Sequence, residues 1–190
     1  MTDDVLFAAK GRALDAYALV EKHLALLLGA LLRLDREVSE HVYDAIQNSQ
    51  RVSALLLTLF ERVHSPDELV FAKSLMKAFQ GLTADRNKLA HGSFVKVGYA
   101  RGRELAHLPT MSRARKGSLP LETLVQFEAR AHYLMLAVFY LEHRVRRGNK
   151  LNTLPGGVSA TEFFRHELPP FPPTEDNPFF KVVARRRTAK

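Results

Sequence analysis

Arginine, amide and imidazole come together near the middle of the chain, in Asp85-Arg86-Asn87-Lys88-Leu89-Ala90-His91-Gly92. An arginine fork binds two phosphate oxygens through parallel hydrogen bonds. A histidine titrating near neutrality can take the proton of a ribose 2′-hydroxyl or protonate a leaving 5′-oxygen. Asn87 and His91 stand four apart and so share a helix face, with Arg86 one position around and flanking it. These are the parts of a metal-independent ribonuclease that cleaves by internal transesterification, leaving a 2′,3′-cyclic phosphate and a 5′-hydroxyl. A structural task also fits: a histidine near a helix C-terminus is favoured by the dipole, and Ala-His-Gly is an ordinary helix ending. Spacing alone decides little, because it recurs at Arg36…His41 and Arg101…His107. What sets the octet apart is Asn87 directly after the arginine, Gly92 after the histidine, and the strong apolar helix before them.

Other chemistry-bearing residues are more scattered. Glu21 follows Tyr17 by four among mostly apolar neighbours, where it can pair with Arg86 or stay a boundary carboxylate beside Lys22 and solvent. Glu21 and Asp85 are the candidate supporting acids. Between Lys96 and Lys116 the chain carries six basic residues (Lys96, Arg101, Arg103, Arg113, Arg115, Lys116) against the single acid Glu104, with Phe94 and Tyr99 interleaved. Together with Lys88 these suit contact with RNA, and equally a solvated loop. His132 and His143 share a face of the last long helix with Glu128 one turn before, but they make no compact ligand cluster, so no metal and no cofactor is expected. No glycine-rich phosphate loop, nucleophile elbow or paired-histidine zinc motif occurs.

The elements that must position these groups are mostly helices. An Ala/Leu-rich stripe through Leu6, Ala9, Leu14, Tyr17, Leu19, Leu24, Leu27 and Leu31 predicts one long helix over 5–33, despite Gly11 and Gly29. Leu34-Asp35 reads as a break, with Asp35 capping a helix over 36–46. After Asn48-Ser49 a third helix turns Val52, Leu55, Leu56, Leu59 and Phe60 inward. Ser65-Pro66-Asp67-Glu68 starts a fourth, with Ala72, Leu75, Met76, Phe79, Leu82 and Leu89 on its apolar face and Gly92 placed to end it. Residues 93–99 and 105–111 read as strands of a hairpin, and 119–146 as the closing helix. Beyond Gly148 the apolar period dissolves. Pro155, Pro169, Pro170, Pro172, Pro173 and Pro178 precede Arg185-Arg186-Arg187, which implies an extended arm or a disordered tail. The expected fold class is all-α: an antiparallel bundle of about four to five helices with a small β-hairpin insertion before the last long helix and a proline-rich C-terminal arm. Its domain spans 1–147, with 93–117 as the basic insertion and 148–190 as the extension.

Composition narrows the setting. The chain has 190 residues, 46% of them hydrophobic, enough for a sizeable core. Absence of cysteine excludes disulfides and cysteine-ligated metal centres and fits a cytoplasmic setting. The longest apolar run, Leu24 to Leu32, falls short of the roughly 20 residues of a membrane span, and no signal peptide is expected. The net charge of +8 lies wholly after the octet: residues 1–92 hold 11 Lys/Arg against 12 Asp/Glu, and residues 93–190 hold 17 against 8. Such a field favours a polyanion, RNA first.

Arg86-Asn87-Lys88-Leu89-Ala90-His91-Gly92 resembles the Arg-x4–6-His motif of HEPN (higher eukaryote and prokaryote nucleotide-binding) domains, in the subtype with Asn after the arginine and Gly after the histidine. The long first helix with Tyr17 and Glu21, the helix from Gln50-Arg51 to Val63 and the closing helix extend the similarity over about residues 5–147. The resemblance implies an all-α homodimer whose motifs face each other across the interface as one composite site. It implies toxin–antitoxin or phage-defence ribonucleases, with Arg86 on the phosphate, His91 as acid–base and Asn87 orienting them. RNA, a second copy of the chain and an antitoxin or other partner protein are the implied partners, and no membrane. The position two after the histidine, a modified tyrosine in some family toxins, is Ser93 here, which speaks against that mode of regulation. The alternative is a non-catalytic RNA- or nucleotide-binding module of the same fold, or a helical adaptor.

Overall fold

The computed structural model describes residues 3–46, 48–63, 66–99, 102–109, 121–148, 152–154 and 157–175, and of residues 92–109 the backbone. In chain order they form α1 (Asp3–Leu32), α2 (Arg36–Ile46), α3 (Ser49–Val63), α4 (Pro66–His91), β1 (Gly92–Tyr99), β2 (Gly102–Pro109), α5 (Leu121–Arg147) and the single turn α6 (Ala160–Phe163). The fold is all-α. β1 and β2 pair antiparallel, with Lys96 opposite Leu105 and Gly98 opposite Arg103. No described helix is long and apolar enough to cross a membrane.

Local chemistry fixes the helix ends. The Asp35 carboxylate accepts the Val38 N–H at 2.9 Å, and Asn48 Oδ1 accepts the N–H groups of Gln50 and Arg51 at 2.9 and 3.1 Å. Each side chain thereby satisfies donors that the first turn leaves free. α1 stops one residue earlier than the expected break. Arg33 takes a left-handed backbone (φ 58°), and the Leu34 N–H reaches back to the Gly29 carbonyl at 2.9 Å. That hydrogen bond closes the helix in the manner usually given to glycine.

The core lies between α1, α4 and α5. Ala13, Val20, Leu24, Leu27 and Leu28 of α1 pack with Phe71, Leu75 and Phe79 of α4 and with Leu124, Ala137, Val138 and Leu141 of α5. Leu19, expected on the inner stripe, is instead exposed, because it sits on the outward side of the turn that buries Ala16 and Val20. An antiparallel order holds for α4 and α5, where Asp85 meets Arg130 and Glu68 meets Arg144. α1 and α5 run parallel: Arg12 meets Glu128, His23 meets Phe139, and the Leu26 carbonyl meets Arg146. Only neighbours joined by short loops are forced to reverse direction, so α1 and α5, far apart in the chain, are free to run parallel within the bundle.

Within the expected extension after α5, residues 157–175 pack on the bundle. Phe163 and Phe164 are buried against the Phe71 ring, at centroid distances of 5.3 and 4.9 Å. The Leu168 N–H donates to Ser74 Oγ at 2.7 Å, and the Tyr133 hydroxyl donates to the Pro169 carbonyl at 2.8 Å. The two phenylalanines supply the apolar area that docks the chain. A two-residue pair carries no helical period, so the periodicity of the sequence does not reveal it. Residues 176–190, with the arginine triplet, lie outside the described residues.

α2 approaches α1 closely at Gly29, where an added Cβ would collide with Ser39 Oγ and come within 2.7 Å of Ser39 Cβ. Ser39 is fully buried and donates to the Asp35 carbonyl, so it has no room to retreat. Gly11 has open space around it. Gly29→Ala is expected to cost about 1–3 kcal/mol through overpacking, whereas Gly11→Ala is expected to gain roughly 0.5–1 kcal/mol through helix propensity. Urea denaturation of the two variants measures the contrast.

Candidate functional site

Four helices border one open cleft of about 890 Å³. α1 lends Tyr17, Glu21 and Lys22; α2 lends Glu40, Tyr43 and Asp44; Ser49, Gln50 and Val52 come from α3; and α4 lends Thr83, Arg86 and Asn87. The floor is built around Tyr17, whose ring stacks on Phe79 (centroids 6.1 Å apart) and tilts against Phe127 (6.5 Å). Thr83 Oγ1 donates to the Phe79 carbonyl at 2.9 Å. Its only hydrogen is thus committed, so the Tyr17 hydroxyl is the donor in their 2.8 Å contact. Burial pushes the Tyr17 phenol up to about 12, so it stays protonated and serves as a donor rather than a base.

Arg86 is held from three sides. Its Nη2 lies 3.8 Å from Glu21 Oε1, its Nη1 donates to Asn87 Oδ1 at 3.1 Å, and its guanidinium carbon sits 4.8 Å from the Tyr17 ring centroid. The ion pair is long and not bidentate, and both partners keep about a third of their side-chain surface exposed (32% and 33%). The arginine is therefore oriented while part of its donor fork still faces solvent. Burial raises the Glu21 carboxyl above its ordinary value, and the Arg86 charge only partly offsets this. Tyr43 is half-buried, and burial likewise raises its phenol.

The octet does not gather at one point. Arg86 and Asn87 face the cleft, whereas Asp85 turns to α5, 3.0 Å from Arg130 Nη1 and 3.1 Å from Lys88 Nζ. Partial burial works to raise the Asp85 carboxyl, but the hydrogen bonds from Lys88 and Arg130 outweigh it and hold the group below its usual range. Asp85 thus supports the packing of α4 on α5 and does not support Arg86, and Lys88 is engaged with Asp85. His91, expected on the Asn87 face, does not line the cleft. It is exposed at the last residue of α4 and makes no hydrogen bond or ion pair among the described residues. Five residues of helix turn it well away from Arg86.

Of the residues assigned to RNA, Lys96 and Arg103 occupy β1 and β2, and Arg101, Arg113, Arg115 and Lys116 lie outside the described residues. His132 lies 4.0 Å from Glu128 and His143 3.2 Å from Glu142. Among the described residues no three His, Asp or Glu side chains converge as a metal set. Sequence reasoning missed Tyr43, Asp44 and Gln50 as cleft residues. No local pattern marks them, because their convergence depends on the turn between α2 and α3.

No family model, curated protein or solved structure matches the chain.

The Glu21 shift has a measurable sign. Its folded pKa exceeds the unfolded value, so its contribution to stability is fully present below about pH 4.5 and is lost as pH rises through the folded value. Glu21→Gln carries no charge to desolvate. Its urea midpoint relative to wild type is expected to rise between about pH 4 and about pH 7; a difference that stays flat with pH contradicts the assignment.

Proposed function

We propose that this protein is a metal-independent endoribonuclease of the HEPN type, acting as a homodimer in a toxin-like or phage-defence role in the cytoplasm. The observation that carries this reading is the arrangement at the end of α4: an arginine braced by Glu21, Asn87 and Tyr17 at an open cleft, with an exposed histidine beyond it on the same helix. Arg86 binds the scissile phosphate and offsets the charge that develops in the transition state. An imidazole removes the 2′-hydroxyl proton, the 2′-oxygen forms its bond to phosphorus, and the 5′-oxygen departs and is protonated. The products are a 2′,3′-cyclic phosphate and a 5′-hydroxyl. Since His91 lies outside the cleft that holds its own Arg86, the reading calls for a second copy of the chain to bring an imidazole to it.

The test is cleavage of single-stranded and structured RNA by purified protein in EDTA. His91→Ala is expected to lower the rate by about 100-fold or more, the usual scale of one acid–base group. Arg86→Ala should do so without unfolding the protein, because about a third of the Arg86 side chain is exposed and its ion pair is long. Cleavage that survives His91→Ala removes the reading.

One observation favours a second reading. Arg86 already has an internal partner in Glu21, as suits a non-catalytic RNA- or nucleotide-binding module or a helical adaptor. Binding without turnover, lost on charge reversal within 96–116 and intact in Arg86→Ala, identifies that case.

A further inference from the structure

The cleft is larger than a phosphate requires. Its volume of about 890 Å³ lies in the range of small-molecule sites, about 300–1,000 Å³. Its charge is also wrong for a phosphate away from Arg86, because Glu21, Glu40 and Asp44 outnumber Lys22 and Arg86. Two of these acids are engaged: Glu40 with Arg36 at 2.9 Å and Glu21 with Arg86 at 3.8 Å. Asp44 accepts no hydrogen bond and forms no ion pair among the described residues. It stands in the last turn of α2, where the helix dipole disfavours a negative charge. Two further polar groups that line the cleft lack hydrogen bonds among the described residues, the half-buried Tyr43 hydroxyl and the Gln50 side-chain amide.

An exposed carboxylate lining a cleft, with no side-chain partner among the described residues, is open to a ligand with adjacent donors. Guanine presents N1–H and the N2 amine side by side, matching the two oxygens of one carboxylate. Adenine and cytosine set one amine beside a ring acceptor, and uracil sets its N–H between two carbonyls, so each turns a lone pair toward the acid. Guanine O6 needs a donor, which Tyr43 or Gln50 can supply.

We propose that the cleft residues Tyr43, Asp44 and Gln50 serve as a guanine-selective base subsite for the nucleotide whose phosphate lies on Arg86. It deepens the ribonuclease reading, from which it takes the placement of the phosphate. Isothermal titration of the full chain with the 5′-monophosphates of guanosine, adenosine, cytidine and uridine tests it directly. The guanine nucleotide is expected to bind about 10- to 100-fold tighter than the other three, the worth of hydrogen bonds to a charged acceptor. Asp44→Asn should bring it to their level while thermal stability holds or rises, because the side chain is exposed and its charge opposes the helix dipole. Arg86→Ala should weaken all four alike and leave the ratio unchanged. Equal affinities, no binding of any nucleotide, or a guanine preference that persists in Asp44→Asn overturns the proposal. Selective guanine binding without RNA cleavage keeps the subsite and removes the ribonuclease reading. Cleavage without guanine selectivity does the reverse.

Discussion

The ring of Tyr17 is shared between the core and the cleft. The ring stacks on Phe79, tilts against Phe127, has its hydroxyl fixed by Thr83, and lies under the Arg86 guanidinium. α1, α4 and α5 are thus joined through one side chain that is 2% exposed. The energies are individually modest, about 0.5–1.5 kcal/mol for a hydrogen bond and about 0.5–2 kcal/mol for a cation over an aromatic face. Their weight comes from sharing one ring. The position of the cleft arginine is set by the same packing that holds the bundle together, so core and cleft cannot vary independently.

Around the end of α4, consecutive residues are divided among different tasks. A helix turns each residue by 100°, so Asp85 reaches α5, Arg86 reaches α1, Asn87 lines the cleft, and His91 is exposed at the helix end. The basic excess of the second half and the acid-lined cleft are likewise separate features, one in the residues after the octet and the other built mainly by the first two helices and Asn48.

The helices were legible because their signals are local. Asp35, Asn48 and Pro66 announce starts, and the apolar period of Leu75, Met76, Phe79 and Leu82 identifies a buried face. The period does not say what covers that face, so the parallel pairing of α1 with α5 was not readable. Arg33 in a left-handed conformation carries no residue-type signal, since glycine is the usual occupant. Arg86 and Asn87 were legible as a candidate site from their types, and Glu21 as one of two options. Tyr43 and Asp44 were not, because a lone tyrosine and aspartate on an amphipathic helix look like any boundary pair. The docked Phe163 and Phe164 were hidden for a similar reason, among prolines that suggest separation from the core.

The parallel pairing of α1 with α5 also bears on how the chain is made. α1 ends at Leu32 and its main partner begins at Leu121, so synthesis produces the apolar face long before its cover. At roughly 5–20 residues per second, the nascent chain carries that face uncovered for on the order of 5–20 s. α2, α3 and α4 emerge in the interval and can shield only part of it. Completion of the core therefore waits for the last long helix to leave the ribosome, and contacts this distant in sequence form late and slowly. The half-made chain, more than the finished bundle, is the state exposed to chaperones, proteases and aggregation.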